Sequence, residues 1–358
     1  MPGPRLSWDL GTAYDLFMSL VVLHEPAKYG LRGAWAKGVR ARLPAEEREI
    51  LEQAVHLVWP FRWVHALSDP KNGAAALRAL GQIPPAERLP LLAPSPATSP
   101  QILEILEDVA ARKVWDEGDL AALQTALKGE KPKSRKKDDV AKILEWWSRS
   151  QEFGERYLEA LRVYHEVFFA EEELRIRPAL DAALARAQEL AQQFELTALV
   201  GQLSQGLRLV ELPAVPELVL APSYWSTPLL IFAPVSVERE LILFGARPSH
   251  ASLVPGEVVP DALMRALKAL GDPTRLRILR YLALEPLSPA ELSRRLRLRA
   301  PTVIHHLDTL RLAELVHLTL EGGAKRRYAA RPEAVKAAYT ALEAFLKNDV
   351  EQESIIFS

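Results

Sequence analysis

The sequence predicts a mainly α-helical protein with a small antiparallel β-meander and a carboxy-terminal winged helix-turn-helix. Three observations support this class. Apolar residues recur at helical spacing over most of the chain, short β-like runs cluster at residues 217–244, and capped helices followed by a basic hairpin pattern occupy the last hundred or so residues. With 358 residues, 49% of them hydrophobic, the chain is long enough to form two or three domains.

The amino-terminal region, residues 1–127, is predicted to be largely helical. Residues 46–57 carry apolar side chains at helical spacing, whereas prolines at 84, 85 and within 93–100 indicate turns. The segment 128–139, KGEKPKSRKKDD, has almost no apolar side chains, so we interpret it as a polar linker or loop. A polybasic arm that touches DNA is the alternative for this segment.

Residues 140–257 are predicted to form a helical pair followed by the β-meander. Apolar stripes at helical spacing run through residues 158–168 and 180–194, with Pro178 as the main turn signal between them. Short β-like runs follow at residues 217–221, 229–233 and 240–244, separated by proline, serine and charged residues. Three consecutive runs of this kind indicate a small antiparallel meander.

The composition argues against a membrane protein and a disulfide-stabilised one. The apolar run at residues 16–23 is too short to span a bilayer and follows acidic residues instead of a basic segment. Cysteine is absent, which excludes a disulfide framework, a thiol nucleophile and a thiolate metal site. We therefore expect a cytoplasmic protein with no membrane partner.

Helix start signals recur in the carboxy-terminal module, residues 258–348. Asp272 can cap a helix whose first position is Pro273, and Ser288 with Glu291 has the spacing of a capping box. Two short helices, residues 290–296 and 300–310, joined by a tight turn at 297–299, predict a helix-turn-helix. The apolar face of the second helix is expected to pack on the first through Val303, Leu307, Leu310, Leu292 and Leu296.

The opposite face of the second helix is predicted to enter the major groove of DNA. A β-hairpin then follows at residues 315–330, with three consecutive cations suited to phosphates or the minor groove. The order of helix, helix-turn-helix and basic hairpin predicts a winged helix. The candidate DNA-binding residues are Arg299, Pro301, Thr302, His305, His306, Thr309, Lys325, Arg326 and Arg327.

The charge distribution favours nucleic acid as the partner of this module. Residues 260–348 contain 16 basic and 9 acidic side chains, a net charge of +7, although the whole chain is −1. A basic module attached to an acidic body is typical of nucleic-acid binding. A solvated, arginine-rich surface is the alternative.

Three runs make the module resemble the arsenic-repressor-like (ArsR/SmtB) winged-helix transcriptional regulators. They are LKALGDPTRLRILRYL, LSPAELSRRLRLRAPTVIHHLDTLRLAELV and EGGAKRRYAA, over about ninety residues. The resemblance implies a homodimer on a roughly palindromic operator, with the first and last helices of the module at the dimer interface. In the last helix that interface would use Val335, Tyr339, Leu342 and Phe345; packing against the amino-terminal region is the competing explanation for this apolar stripe.

Several positions depart from the family pattern. Members that sense metals use cysteines before the recognition helix or histidines and acids in the last helix, but this chain has no cysteine and no histidine in residues 332–347. Adjacent His305 and His306 point about 100° apart on a helix, so they cannot readily share one ion. We expect no metal site and no cofactor. Arg299 stands where a small polar helix cap is usual, and could contact phosphate.

The function of the preceding 250 or so residues is less constrained by the sequence. Aromatic clusters at residues 59–65, 146–147 and 223–225 could line a pocket for an apolar or aromatic effector, or could be ordinary core. The chain lacks a glycine-rich phosphate loop, a nucleophile elbow and a two-histidine zinc motif, so we predict no catalytic residues and no enzyme. The sequence thus favours a DNA-binding transcriptional regulator; a protein-interaction or scaffold role is the alternative.

Overall fold

The computed structural model describes residues 4–31, 33–130, 137–204, 206–209, 212–248, 251, 259–321 and 325–356. Helices dominate the first two thirds of the chain. They are α1 (Thr12–His24), α2 (Gly33–Arg40), α3 (Ala45–Ala54), α4 (Phe61–Ala66), α5 (Gly73–Gly81), α6 (Pro85–Leu92), α7 (Pro100–Arg112), α8 (Glu117–Glu130), α9 (Lys137–Ser148), α10 (Ser150–Tyr164), α11 (Ala170–Ala191) and α12 (Leu196–Leu203). A 3₁₀ turn, Pro26–Tyr29, follows α1, and a π-helical turn, His165–Phe169, joins α10 to α11.

Residues 4–248, which we call the body, contain a four-stranded sheet among their helices. Its strands are β1 (Arg5–Trp8), β3 (Glu217–Ser223), β4 (Ile231–Pro234) and β5 (Arg239–Gly245), in the order β1-β3-β5-β4. β1 and β5 flank β3 in parallel, and β4 is antiparallel to β5. The three β-like runs are therefore strands as predicted, but a consecutive antiparallel meander is wrong for β3, because β1 and β5 occupy its two sides.

Helices cover both faces of this sheet. Val219 and Leu241 face the large core built by α1 to α11, whereas Leu220 and Ile242 face α11 and α12. This double coverage explains why β3 is buried at nearly every position and why its sequence does not alternate between polar and apolar residues.

Helix α1 lies at the centre of the body and is buried on nearly all sides. Its Asp15 is fully buried and joins the helix to the end of β3, accepting hydrogen bonds from Ser223 Oγ (2.8 Å) and from the backbone nitrogens of Tyr224 (3.1 Å) and Trp225 (2.9 Å). Burial raises the pKa of Asp15 to about 7. The apolar run at residues 16–23 is thus a core helix, and among the described residues no helix is long and apolar enough to cross a membrane.

The two regions expected on either side of residues 128–139 share one core. Residues from α1 through α8 and from α9 through β5 belong to the same buried cluster. Residues 128–130 end α8 and residues 137–139 begin α9, so the predicted linker is helical at both ends, and its middle, 131–136, lies outside the described residues. Instead of a helical pair, residues 150–191 form one continuous helical run that accommodates Pro178.

The carboxy-terminal module contains α13 (Asp261–Leu270), α14 (Pro273–Leu282), α15 (Pro289–Leu296), α16 (Ala300–Leu312), β6 (Val316–Glu321), β7 (Lys325–Ala330) and α17 (Pro332–Ile356). Strands β6 and β7 form the antiparallel wing. A further strand from the body, β2 (Leu207–Leu209), pairs in parallel with β6. The mainly helical class with a carboxy-terminal winged helix is confirmed.

Candidate nucleic-acid interface

The winged helix has its own apolar core, separate from that of the body. Val303, Leu307 and Leu310 of α16 are fully buried and pack in one cluster with Leu292 and Leu296 of α15, as their spacing predicts. Tyr328 of the wing and Ile278 of α14 also belong to this cluster. Because these side chains fix one face of α16 inward, its opposite face must point outward.

Side-chain caps set the starts of α14 and α15. Asp272 Oδ1 accepts a hydrogen bond from Arg275 N (2.9 Å), and Ser288 and Glu291 form the predicted capping box. The guanidinium of Arg275 folds back to the end of α13, where it donates to the carbonyls of Ala269 (2.8 Å) and Lys268 (2.7 Å). The arginine that opens α14 therefore ties two helices of the scaffold together.

The turn between α15 and α16 is held by two local hydrogen bonds, one from a side chain and one from the backbone. Arg297 ends α15 in the left-handed region at φ 56°. The Ser293 hydroxyl donates to the carbonyl of Leu298, and Leu298 N donates to the carbonyl of Ser293 (3.2 Å). This short connection fixes where α16 begins relative to α15.

The residues predicted for DNA contact differ in exposure along α16. Arg299, Pro301, Thr302 and His305 are exposed. Thr309 is half-buried, and its hydroxyl donates to the carbonyl of His305 (3.0 Å). The first two turns of α16 therefore present Thr302 and His305 to solvent beside the apolar Pro301 and Ile304, the latter 43% exposed, whereas Thr309 already has a partner within the helix.

His306 lies on the inner border of the exposed face. Its ring is half-buried near Asp272 and Arg275, and burial lowers its pKa below the usual value for histidine. The ring centroid of His305 is 6.0 Å away at a tilt of 54°, so the two rings diverge. Burial thus favours neutral His306, which packs toward the start of α14.

The two wing arginines, Arg326 and Arg327, differ in their exposure and in their partners. Arg326 is exposed, whereas Arg327 donates from Nη2 to the carbonyl of Pro286 (2.8 Å) and lies 3.8 Å from Glu291 Oε2. Lys325 begins β7, but its side chain and the tip, 322–324, lie outside what the structure describes. The structure therefore places Arg327 against the α14–α15 connection.

Two exposed arginines add to the predicted set. Arg294 and Arg297 lie at the end of α15, close in sequence to Arg299 at the start of α16. Four unpaired backbone N–H groups and a partial positive charge mark any helix start, so cations around the first turn of α16 reinforce an electropositive patch. The alternation of leucine and arginine in residues 296–299 is the sequence signal for this patch, because Leu296 is buried and Leu298 is half-buried against the module core, whereas Arg297 and Arg299 are exposed.

Helices α13 and α17 pack side by side and form a shallow, alanine-rich groove of about 580 Å³. Of the four residues predicted for a dimer interface, Val335 packs at the edge of the module core, Leu342 and Phe345 are half-buried, and Tyr339 is 64% exposed. Leu346 is 59% exposed on the same helix. The described part of the body therefore does not cover the side chains of Tyr339 and Leu346 in this apolar stripe.

Comparison with known proteins finds relatives of the helix-turn-helix. Residues 272–317 match the family model described as bacterial regulatory protein, arsR family. A crystal structure titled as an ArsR family transcriptional regulator is 27% identical over 27% of this chain and 94% of its own, with a TM-score of 0.22, which is too low to support an argument from overall shape. No curated protein matches the chain. The carboxy-terminal module therefore carries an ArsR-type helix-turn-helix, the kind found in DNA-binding transcriptional regulators.

Proposed function

We propose that this protein is a sequence-specific, homodimeric transcriptional regulator that reads DNA with α16. The observation that carries the proposal is the two-sided construction of this helix. Val303, Leu307 and Leu310 anchor one face in the module core, while Thr302 and His305 remain exposed on the first two turns. An anchored helix that exposes polar side chains on its outer face meets the geometric requirement for reading base edges in the major groove.

Different side chains would have different roles on the DNA. Thr302 and His305, next to Pro301, would meet base edges, whereas Arg299 would contact phosphate near the groove edge. His306 and Thr309 lie further from the exposed centre of the face and would support the reading residues. Lys325 and Arg326 of the wing would add phosphate contacts outside the major groove, and Arg327 would hold the wing against the scaffold.

A homodimer would bring two copies of α16 to one operator. Tyr339 and Leu346 are exposed large apolar side chains on α17, and the adjacent α13–α17 groove is lined by small alanines that allow close helix approach. A second copy of the chain, related by a two-fold axis, would cover this stripe. Such a dimer requires two inverted half-sites, about one turn of DNA apart. A regulator of this kind would act on chromosomal DNA in the cytoplasm.

Selection from random duplexes tests this function without knowledge of the operator. Purified full-length protein is expected to enrich sequences that contain an inverted repeat with half-sites roughly 10 base pairs apart, centre to centre. Enrichment that disappears for a Thr302→Ala, His305→Ala variant would assign the reading to α16. If the protein enriched no motif while remaining folded and dimeric, the DNA-binding function would be wrong.

A further inference from the structure

A concave apolar pocket of about 610 Å³ lies in the body, remote in sequence from the winged helix. Its walls come from the α3–α4 connection, the α6–α7 connection, helices α7, α8 and α9, and the edge strand β4. Trp59, Trp147 and Phe232 bring aromatic surface to these walls, and Leu103 and Leu127 bring aliphatic surface. Two of the three aromatic clusters noted in the sequence thus meet at one cavity.

The third aromatic cluster is ordinary core. Trp225 is 1% exposed, and its ring stacks on Trp35 with centroids 5.1 Å apart. Of the neighbouring tryptophans at 146 and 147, Trp146 donates its indole N–H to Gln53 Oε1 (2.6 Å) and does not line the pocket. Some of the aromatic side chains noted in the sequence therefore line the pocket and others belong to the core, and the local sequence does not distinguish the two groups.

The shape and chemistry of the pocket fit a small molecule. Its volume lies within the range of roughly 300–1,000 Å³ that is typical of small-molecule sites. Because walls from at least six chain segments surround it, the space differs from the long groove between two helices that accepts a partner helix. Its polar side chains are Glu25, Lys28, His56, Ser95 and Thr98, of which Glu25 and Lys28 form an ion pair with each other, and its remaining lining residues are apolar. Such a lining favours a largely apolar, aromatic ligand with one or two polar substituents.

One structural element touches both this pocket and the winged helix. Glu25 and Lys28, at the 3₁₀ turn after α1, line the pocket. Gly30 ends that turn in the left-handed region at φ 70° and packs so closely on α13 that an added Cβ would lie 2.6 Å from Arg265 Cδ. Leu312, at the end of α16, lies 3.8 Å from the same position. A shift of this turn would therefore reach both α13 and the end of α16.

We propose that the body pocket binds a small, largely apolar aromatic molecule and that the 3₁₀ turn Pro26–Tyr29 transmits its occupancy to the module. The regulatory meaning of this coupling rests on the proposed DNA-binding function. The binding itself does not, because every residue of the pocket belongs to the body. The ligand would insert its ring beside Trp59 and Trp147, with its polar substituent toward Lys28 and His56.

The first test measures binding of N-phenyl-1-naphthylamine, a neutral aromatic probe, to the full chain by fluorescence titration. Wild type is expected to bind one probe per protomer saturably. Leu103→Trp places an indole inside the pocket and should weaken binding at least about tenfold, equivalent to about 1.4 kcal/mol. Gln101→Trp adds the same side chain at an exposed position of α7 and should bind like wild type. If Leu103→Trp fails to fold, Ala93→Phe blocks the pocket from another wall.

The second test follows amide hydrogen exchange with and without saturating probe. Exchange is expected to slow in residues 26–31 and in α13. Absence of saturable binding, or equal affinity in the blocked variants and in Gln101→Trp, would overturn the site. Binding that leaves α13 exchange unchanged would overturn the coupling. Neither readout uses DNA, so failure of the DNA-binding function would be recognised separately.

Discussion

The two wing arginines, Arg326 and Arg327, should behave differently although they are neighbours. Arg326 is exposed. The logarithm of the DNA-binding constant falls linearly with the logarithm of the salt concentration, and the magnitude of this salt slope decreases by about 0.9 for each duplex phosphate that a variant no longer neutralises. Arg326→Ala should therefore reduce the slope of log K against log [salt] by about 0.9 per protomer. The free energy of unfolding should fall by less than in Arg327→Ala, because the side-chain hydrogen bond of exposed Arg326 to Tyr328 is screened by solvent.

Arg327→Ala should instead act on stability. Its guanidinium donates to the carbonyl of Pro286 and lies near Glu291, but the side chain is 39% exposed, which weakens this bond through solvent screening. Removing the guanidinium is expected to cost about 1 kcal/mol of unfolding free energy. The salt slope should change by less than half as much as in Arg326→Ala.

The assay is fluorescence anisotropy of a labelled duplex of arbitrary sequence, titrated at several salt concentrations. Scanning calorimetry of the same samples reports stability. The dependence on salt is independent of sequence, so the operator need not be known. An Arg327→Ala variant that kept wild-type stability and whose salt slope fell as far as that of Arg326→Ala would refute the assignment of Arg327 to the scaffold.

Three further substitutions test the scaffold, the pH response and the dimer. Ser288→Ala removes the cap of α15 and should lower the unfolding free energy of the module by about 1 kcal/mol in calorimetry, whereas Ser288→Gly should cost less; equal decreases would contradict the capping role. Burial lowers the pKa of His306, so the unfolded chain binds a proton more readily than the folded one. Its stability contribution is therefore complete above the unfolded pKa of about 6.5 and is lost as the pH falls through the lower folded pKa. In His306→Gln the midpoint temperature of thermal unfolding, measured by calorimetry, should decrease less between about pH 7 and 5 than in wild type. An unchanged pH profile would contradict this. Tyr339→Glu puts a charge on the exposed stripe of α17 and should weaken dimerisation at least about tenfold in sedimentation equilibrium, about 1.4 kcal/mol; Lys336→Glu, a charge change at an exposed position nearby, is the matched control.

Local signals predicted the winged helix well. The caps at Asp272 and Ser288 and the apolar face of α16 depend on residues within a few positions of one another, so their patterns are visible in the sequence. The parallel pairings of β1 with β3 and of β2 with β6 join residues about 200 and 110 positions apart, and no local pattern records them.

The difference between local patterns and contacts distant in sequence also explains which individual side chains the sequence could predict. Arg327 looks like a DNA-contacting cation in the sequence, but in the structure its guanidinium donates to the backbone carbonyl of Pro286 in the scaffold. Sequence alone could not separate Trp147, which lines the body pocket, from Trp225, which stacks in the core. Spacing predicts which face of a helix is buried, but which side chains line a pocket or bind the scaffold depends on segments far apart in the chain.

Binding to the region upstream of its own gene tests the central claim most directly. Wild type and Thr302→Ala are titrated against a labelled duplex of that region in the presence of excess unrelated DNA. The account predicts salt-sensitive binding that survives the competitor for wild type, and a preference reduced by about 1 kcal/mol, roughly fivefold, for Thr302→Ala. Equal preference in the two proteins, or wild-type binding that the competitor abolishes, would contradict sequence reading by α16.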